Sequence, residues 1–491
     1  MQAPTLLDLP PGPEQPRAAQ ALQWITRPRE FLLRQRERFG DVFTIDFIDG
    51  EPLVVLADPA DVRTVFTGGA ALMHAGEANR LLEPIVGSRS ILLLDEGEHL
   101  RQRRLLLPAF HGERLRGHVA IMREATAREV DTWRAGERLA VLGRMQAITL
   151  EVIMRAVFGV EEGLELERLR DLVRRMLTLT TDWSQLLLTF LAGPGSPRVV
   201  ARRRAALAPL DEELGRIVAE RRAVPDVAAR GDVLSLLLCA RDDDGMPLGD
   251  DELRDELVTL LLAGHETTAS TLAWCLERLT RHPQALARVT AEARSGADEL
   301  PYADAAIQET LRLRSVLPIV VRRITAPLVV GRGRFHLPAG TRIAPSILLV
   351  HLRPDLYPEP LEFRPERFLD GAPGTYTWIP FGGGLRRCVG AAFAQLEMRE
   401  VLRETLARVE LEPLGGDERI TRRALTLVPR RGARVRVVRR VEPAEPSRRG
   451  RRSGRYRPPG WPPSSQSPSA PIRARRGSSR SASRTASRRS S

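Results

Sequence analysis

One ten-residue stretch, residues 381–390, constrains the fold of this chain more than any other; it reads FGGGLRRCVG. Its glycines leave room for the backbone to approach a large, flat ligand closely. An amphipathic helix is predicted directly after it, from Ala391 to Val409, so that Cys388 lies at a helix N-terminus. There the helix dipole and the guanidinium groups of Arg386 and Arg387 favour a thiolate. The stretch therefore predicts a site organised around Cys388.

A buried structural cysteine in a glycine-rich turn is the alternative interpretation, since free cysteine is among the most buried residue types. The pattern Phe-x-x-Gly-x-Arg-x-Cys-x-Gly, with five positions set, favours a ligand site instead. A cysteine thiolate is the axial ligand that pushes electron density onto haem iron. The stretch resembles the haem-binding loop of the cytochromes P450. The resemblance implies haem b as cofactor, Cys388 as the iron ligand, Arg386 as a propionate partner, and Phe381 and Gly390 as further haem contacts.

A second stretch breaks the local rules of helix formation. The longest helical pattern runs from Glu252 to Thr280, and its centre reads LLAGHETT. Glycine and paired threonines are poor helix formers, and a buried acid costs energy unless it is paired or hydrated. Such conflicts indicate a functional site. The stretch resembles the family's Ala-Gly-x-Asp/Glu-Thr-Thr/Ser motif, which implies a groove for O2 at Ala263 and Gly264 and a proton-delivering pair, Glu266 and Thr267.

Cationic side chains are expected to pair with the two haem propionates, because unpaired buried charge is costly. His99 and Arg103 share one face of a predicted helix over Glu98–Leu107, at i, i+4 spacing. A solvated basic face is the alternative, but the resemblance implies that both side chains reach the haem. In the family, a residue shortly after a proline binds the second propionate. Here that implies Arg322, with Arg323 as the other candidate.

A structural charge cluster is also implied. Glu309 and Arg312 stand at i, i+3 on a predicted helix, which alone indicates an ordinary surface pair worth a few tenths of a kcal/mol. The sequence PERF, which contains Arg367, follows at the distance typical of the family. The resemblance therefore implies a buried, hydrogen-bonded triad of these three residues behind the haem.

The chain divides by composition into three parts. Residues 1–28 are proline-rich and read as an irregular lead-in, and residues 29–440 form one predicted domain. The resemblance gives that domain the P450 fold, mainly α with a minor β region. Residues 441–491 are rich in Arg, Ser and Pro and predict disorder. They contain 13 Arg and two Glu, so the tail carries +11 of the net charge of +13 and the body is nearly neutral.

Turn signals predict strands at both ends of the domain. Val42–Ile48 and Leu53–Leu56 flank Asp49 and Gly50, a strong hairpin signal. Ala424–Val438 reads as the last strand pair, and the resemblance implies that the turn before it can enter the substrate pocket. The apolar segment 183–192 lies in the region that covers the substrate channel in the family.

Cysteine usage and hydropathy indicate the compartment. Cys239, Cys275 and Cys388 show neither metal-type clustering nor an even disulfide set, which fits a reducing cytoplasm. No signal-peptide pattern and no run of about 18 apolar residues is present, so a soluble monomer without a membrane anchor is expected. The Arg-rich tail could bind nucleic acid, which its deletion would test, but no nucleic-acid partner is expected.

The resemblance extends over about residues 30–440 and implies a cytochrome P450 monooxygenase. Such an enzyme inserts one oxygen atom from O2 into a C–H or C=C bond, here of a small apolar substrate. The sequence has no dinucleotide fingerprint and no second cysteine cluster, so a ferredoxin or flavodoxin with its reductase is expected to supply electrons. A basic docking face is expected at Arg101, Arg104 and Arg387.

Two alternatives remain on the same fold. A peroxide-driven peroxygenase would carry an Arg in place of the acid–alcohol pair, so Glu266 and Thr267 argue against it. A haem binder without turnover would need no proton delivery, so the same pair argues against that function too.

Overall fold

The computed structural model describes residues 9–46, 50–112, 114–160, 163–179, 196–371 and 374–441. The tip of the first predicted hairpin, the apolar segment 183–192 and all but the first residue of the predicted tail lie outside the described residues. Within them the chain is mainly helical with small sheets, as the sequence predicts.

The helices pack as one body around a large apolar core. In chain order they are α1 (Arg17–Thr26), α2 (Pro28–Phe39), α3 (Pro59–Thr67), α4 (Glu83–Val86), α5 (Glu96–Leu106), α6 (Arg114–Gly117), α7 (Val119–Asp131), α8 (Val141–Phe158), α9 (Leu164–Leu179), α10 (Pro197–Arg222), α11 (Val233–Cys239), α12 (Asp250–Arg281), α13 (Pro283–Arg294), α14 (Pro301–Leu313), α15 (Ile347–His351) and α16 (Ala391–Arg408).

The strands form small sheets at the edges of the helical body. They are β1 (Val42–Asp46), β2 (Pro52–Leu56), β3 (Met73–His74), β4 (Arg138–Ala140), β5 (Arg322–Ile324), β6 (Leu328–Val330), β7 (Phe335–Leu337), β8 (Arg342–Pro345), β9 (Val409–Pro413), β10 (Ile420–Arg423), β11 (Thr426–Pro429) and β12 (Arg434–Arg440). The largest sheet has the order β1-β2-β8-β5-β3, in which only β2 and β8 are parallel. The others are β4-β12-β9, β6-β7 and β10-β11, all antiparallel.

Helix α12 is the centre of the body. At its start the Gly249 N–H donates to Glu252 Oε2 at 2.8 Å, and acidic residues in the first turn interact favourably with the positive end of the helix dipole. Helices α8, α14 and α16 and strand β11 pack around it. A Cβ on Gly264 would lie 2.9 Å from Ile153 Cδ1, so this glycine allows α8 to approach closely. No helix among the described residues combines the length and the apolarity needed to cross a bilayer.

The N-terminal segment differs from its prediction as an irregular lead-in. Helix α1 occupies Arg17–Thr26, and α2 begins at Pro28. No side chain caps α1 at Pro16, so the sequence carried no start signal there. The helix forms because tertiary packing buries one face, on which Trp24 is 4% exposed.

The predicted last strand pair is also wrong. Strand β11 pairs with β10, its predecessor, in a two-residue turn whose first residue, Ala424, has the left-handed φ of 51°. Strand β12 instead pairs with β9 and β4 in a different sheet. The turn at residues 429–432 therefore connects two sheets rather than two paired strands.

Candidate active site

The loop before α16 holds Cys388 by backbone contacts. The Cys388 N–H donates to the Phe381 carbonyl oxygen at 3.0 Å, and the Phe381 ring packs edge-on against Trp378. Gly384 has a φ of 63°, and a Cβ there would lie 1.8 Å from the carbonyl oxygen of Phe66 at the end of α3. The glycines are thus required by the packing of this loop on α3. A Cβ on Gly390, the residue before α16, would meet no described atom within 4 Å.

Cys388 is accessible although protein surrounds it. Its side chain is exposed, whereas the enclosing protein desolvates the sulfur, and this burial raises the pKa of the thiol. Three groups oppose that effect and lower the pKa: the Gly390 N–H, Arg103 on α5 and the adjacent Arg387. An accessible sulfur faced by two guanidinium groups and a backbone donor is suited to bind a ligand as a thiolate.

Three predicted cofactor-binding side chains, His99, Arg322 and Arg386, line one cavity beside this loop. Burial and the positive charges of Arg386 and Arg103 lower the pKa of His99 to about 3. Burial, followed by the charge of Arg386, lowers the pKa of Arg322 to about 10. Positive charge is therefore crowded here. The cavity is also lined by Val65, Phe66, Gly68, Gly69, Ala70, Met73, Glu96, Gly383 and Leu385.

The side chains of His99, Arg103 and Arg322 have few hydrogen-bond partners among the described residues. Among the described residues, the His99 ring has no hydrogen bond and the Arg103 guanidinium has neither a hydrogen bond nor an ion pair. Within the part of the chain that the structure describes, Arg322 donates to one acceptor, the carbonyl oxygen of its neighbour Val321, at 2.7 Å. Because buried cationic groups are costly when unpaired, this arrangement is suited to bind anionic groups.

The structure distinguishes the two candidates on β5. Arg322 lines the cavity, whereas Arg323 pairs with Glu51 Oε2 at 2.5 Å and with Glu77 Oε1 at 3.1 Å. The alternation of side chains along a strand places the two arginines on opposite faces.

Arg386 is more engaged than the sequence predicted. It donates to the carbonyl oxygens of Ile91 and Leu94 and to the Asp95 carboxylate. Asp95 also accepts from the N–H groups of Gly76 and Glu77, both at 2.9 Å. Asp95 was not predicted as a site residue; it directly precedes α5 in the structure, but its carboxylate does not cap that helix and binds Arg386 instead.

The predicted catalytic stretch lies in α12, which continues through it without a break. Ala263 is exposed, and the Thr267 hydroxyl donates to its carbonyl oxygen at 2.7 Å. Ala263 and Thr267 therefore lie on one face, as their i, i+4 spacing requires. Gly264 instead faces Ile153 of α8, so only Ala263 of the two predicted groove residues lies on the open side.

Glu266 lies between α8 and strand β10. Its carboxylate is 3.5 Å from Gln146 Nε2 and 3.8 Å from Arg423 Nε, and its side chain is 16% exposed. Burial raises the pKa of Glu266, while Arg423 and Gln146 oppose this. The adjacent His265 is buried against the Thr149 hydroxyl, and burial lowers its pKa to about 4.

The predicted triad is confirmed in part: Glu309 and Arg312 form a buried, hydrogen-bonded pair, whereas Arg367 Nε makes no hydrogen bond among the described residues. Glu309 and Arg312 are both fully buried and pair through two hydrogen bonds of 2.7 and 2.8 Å. Arg367 Nε lies 3.5 Å from Glu309 Oε1, and its NH2 group donates to the Glu359 carbonyl oxygen.

The expected basic docking face is not confirmed. Arg101 is bound to Asp242 at 2.5 Å and to Glu252 at 2.9 Å. Arg104 pairs with Asp243 at 3.1 Å. The sequence suggested free cations because these acids are distant in the chain: Asp242 and Asp243 lie in the loop before α12, and Glu252 lies in its first turn. Their negative charge largely cancels that of the two arginines.

Known proteins are similar in sequence to this chain over most of its length. A family model described as cytochrome P450 matches residues 10–437. The protein named "Putative cytochrome P450 135B1" of Mycobacterium tuberculosis is 41% identical over 444 residues, which cover 89% of this chain and 93% of the relative. "Putative cytochrome P450 137" of the same organism is 39% identical, with coverages of 88% and 92%.

Solved structures agree with this relationship. A retinoic acid-bound cyanobacterial protein, CYP120A1, aligns with a TM-score of 0.75 and 25% identity, over 87% of this chain and 99% of that protein. The haem domain of cytochrome P450DA aligns with the same TM-score at 24% identity, covering 89% and 98%, and shows the shared fold. With a family-model match over residues 10–437 and the same overall fold as solved members, the chain belongs to the cytochrome P450 family.

Proposed function

We propose that this chain inserts one atom of O2 into an apolar organic substrate at a haem held by Cys388, with electrons from separate redox proteins. Family membership gives the coarser part: the chain is a haem b-binding oxidoreductase of the monooxygenase class. The residue roles, the substrate class and the electron donors are the proposed part. The observation that carries the proposal is the accessible Cys388 sulfur, which faces Arg103 and Arg387 beside a cavity lined by cations.

The residues around Cys388 fit haem b. The propionates of this group are two carboxylates that require cationic partners where water is excluded. The His99 ring and the Arg103 guanidinium have no hydrogen bond among the described residues, and Arg322 uses one donor only. These three side chains, with Arg386, would hold the propionates. Phe381 and Gly390 would support the loop beside the thiolate.

When bound, haem supplies the activation of O2 at its iron, and the protein supplies ligation, positioning and protons. Arg103, Arg387 and the Gly390 N–H stabilise the negative charge of the Cys388 thiolate. Ala263 leaves the adjacent face of α12 open, because its side chain is a single methyl group.

Thr267 and Glu266 are proposed to hold and move protons. The Thr267 hydroxyl proton is engaged by the Ala263 carbonyl oxygen, so its lone pairs are oriented to accept a hydrogen bond. The pKa of Glu266 is raised by burial, which makes its carboxyl a better proton donor near neutral pH. The acid and the alcohol are adjacent in sequence, and a general-acid role of this kind contributes about 10²–10⁴-fold to rate.

An apolar substrate is proposed from two considerations. Apolar residues dominate the segments expected to line the pocket, although such linings are common to most pockets. A relative of known structure binds retinoic acid, a largely apolar molecule. A ferredoxin or flavodoxin with its reductase is proposed as the electron source.

The Cys388→Ser variant tests the ligand assignment. A serine hydroxyl does not provide a thiolate, so the reduced, CO-bound variant should lose the red-shifted Soret band of thiolate-ligated haem. Cys239→Ser is the matched control, because Cys239 is an exposed cysteine at the end of α11, and its band should not change. An unchanged band in Cys388→Ser would contradict the assignment.

A further inference from the structure

The carboxylate of Glu266 is held mainly by charge. Its Oε1 atom has no hydrogen bond among the described residues, although Arg423 Nε lies 3.8 Å away. The Gln146 contact of 3.5 Å is at the outer limit of a hydrogen bond. Glu266 is 16% exposed and Arg423 is 37% exposed, so the pair is partly shielded from water. Arg423 is the only cation within ion-pair distance of this acid among the described residues.

The position of Arg423 opposite Glu266 is supported by a second contact, between α12 and the other strand of the β10–β11 hairpin. Trp274 of α12 donates its indole N–H to the carbonyl oxygen of Leu427 on β11 at 3.2 Å. From Trp274 back to Glu266 the helix spans about 12 Å. In the hairpin Arg423 stands opposite Thr426, the residue before Leu427, because the chain reverses at the turn. Docking of β11 on α12 therefore holds Arg423 next to the same helix, where its long side chain reaches Glu266.

The backbone of Arg423 is fixed as well. It precedes the two-residue turn, and the Thr426 hydroxyl donates to its carbonyl oxygen at 3.0 Å. The preceding Arg422 stacks over the ring of Trp24 in α1, with its guanidinium 4.9 Å from the ring centre. Because adjacent side chains of a strand point to opposite faces, anchoring Arg422 on α1 directs Arg423 towards α12.

We propose that Arg423 is a positioning residue for Glu266, holding the carboxylate of the proton-delivering acid by an ion pair from the β10–β11 hairpin. This inference rests on the proposed function, since it matters to turnover only if Glu266 supplies protons. The charge-only contact leaves Oε1 able to accept a hydrogen bond, while the positive charge keeps the carboxylate ionisable in a desolvated place.

The proposal predicts the direction in which the titration of Glu266 shifts. Burial raises the pKa of Glu266, and the Arg423 charge and the Gln146 amide lower it. The neighbouring His265 is itself influenced by Arg423 and by Arg174 of α9. Removing the Arg423 charge leaves burial less opposed, so the pKa of Glu266 should rise. For a partly exposed pair the expected increase is about one pH unit.

The experiment is an infrared titration of the purified, haem-loaded protein. The C=O stretch of protonated Glu266 is identified as the carboxyl band that disappears in Glu266→Gln. Its midpoint is then followed with pH in Arg423→Gln, where it should lie about one pH unit higher than in the unaltered protein. Arg423→Lys should restore most of the original midpoint, because the positive charge is retained.

Arg419→Gln is the matched control. Arg419 is exposed, lies just before β10 and is four residues from Arg423, roughly 13 Å along the chain. Arg419 makes no ion pair with Glu266, and exposed charges are screened over about 8 Å at physiological salt, so the midpoint should not move. Haem content and the melting temperature of each variant establish that the fold is intact. An unchanged midpoint in a folded Arg423→Gln protein would overturn the proposal, as would an equal shift in Arg419→Gln.

A second measurement separates this inference from the proposed function. Surrogate redox proteins and NADPH drive the substrate-free enzyme, and the share of electrons released as hydrogen peroxide is determined. If Glu266→Gln leaves that share unchanged, Glu266 has no proton-delivering role and the proposed function loses that part. If Glu266→Gln raises it and Arg423→Gln raises it in a pH-dependent way that Arg423→Lys reverses, the positioning role is supported.

Discussion

Two groups of arginines in this protein differ in how many of their N–H donors find acceptors within the protein. Arg312 is fully buried, and its five N–H donors meet five acceptors: both Glu309 oxygens and the carbonyls of His351, Pro360 and Glu362. Arg322 is nearly as buried but uses one donor, and the half-buried Arg103 uses none among the described residues. The protein therefore satisfies Arg312 by itself, whereas most donors of the other two remain available to the proposed propionates.

Two histidines repeat this contrast. Burial lowers the pKa of both His351 and His99 to about 3. Both ring nitrogens of His351 are engaged, Nε2 by the Ile379 N–H at 2.8 Å and Nδ1 by the Ser315 hydroxyl at 3.2 Å. Neither nitrogen of His99 has a partner among the described residues. Burial and pKa alone thus do not separate these two histidines, whereas the number of hydrogen-bonded ring nitrogens among the described residues does.

The largest effect, on the free energy of unfolding, is expected at the buried Glu309–Arg312 ion pair. Glu309→Gln leaves Arg312 buried beside a neutral amide, and breaking a buried pair costs about 3–5 kcal/mol. Urea unfolding should show that loss in the free energy of unfolding. The control is Glu359→Gln, which removes an exposed partner of Arg364 and should cost under about 1 kcal/mol. Equal, small losses in both variants would show that the buried pair does not stabilise the fold.

The sequence predicted those features of the fold and the candidate site that depend on a local pattern of residues. The Cys388 loop, the α12 motif and the Glu309–Arg312 pair are each set by a short spacing. The roles of Asp95 and Arg423 were not predicted, because each depends on a partner far along the chain that only the fold brings near. The predictions of a free docking face at α5 and of the strand pairing of β11 were wrong for the same reason: both depend on contacts that only the fold creates.

An intermediate effect, on haem retention, is expected when a proposed propionate partner is removed. Arg322→Gln removes a proposed propionate partner, and a hydrogen bond to a charged group is worth about 1.5–3 kcal/mol. Haem transfer from the holoprotein to an acceptor apoprotein should therefore become roughly 10–100-fold faster, if the effect falls on dissociation. Loss of Arg322 strands no acid in the protein, so unfolding in urea should change less than for Glu309→Gln.

Arg323→Gln is the control for that variant, since Arg323 is adjacent in β5 but pairs with Glu51 and Glu77 on the other face. Its haem transfer should match that of the unaltered protein. If Arg323→Gln releases haem faster and Arg322→Gln does not, the assignment of the two arginines is reversed.

The smallest effect concerns the two histidines. Without a ligand, positive neighbours and burial keep His99 neutral, with a pKa of about 3. Haem binding would bring carboxylates beside it, and an opposite charge within about 4–6 Å raises the pKa of a base by about 1–3 units. His351 is satisfied and enclosed, so its pKa should stay where burial puts it. As pH falls from 8 to about 5, His99 should begin to gain its proton while His351 does not.

Nuclear magnetic resonance of the reduced, CO-bound holoprotein, which is diamagnetic, resolves these two rings. The His99 signal is identified by its absence in His99→Gln, and the His351 signal by its absence in His351→Asn. Movement of the His99 signal alone would show that the unsatisfied ring has acquired an anionic neighbour on haem binding. Two flat signals would show that no carboxylate lies beside His99, and the propionates would then be held by the arginines alone. Movement of both signals would mean that His351 is not isolated from the cavity, and satisfied donors would no longer distinguish the structural group from the ligand-binding one.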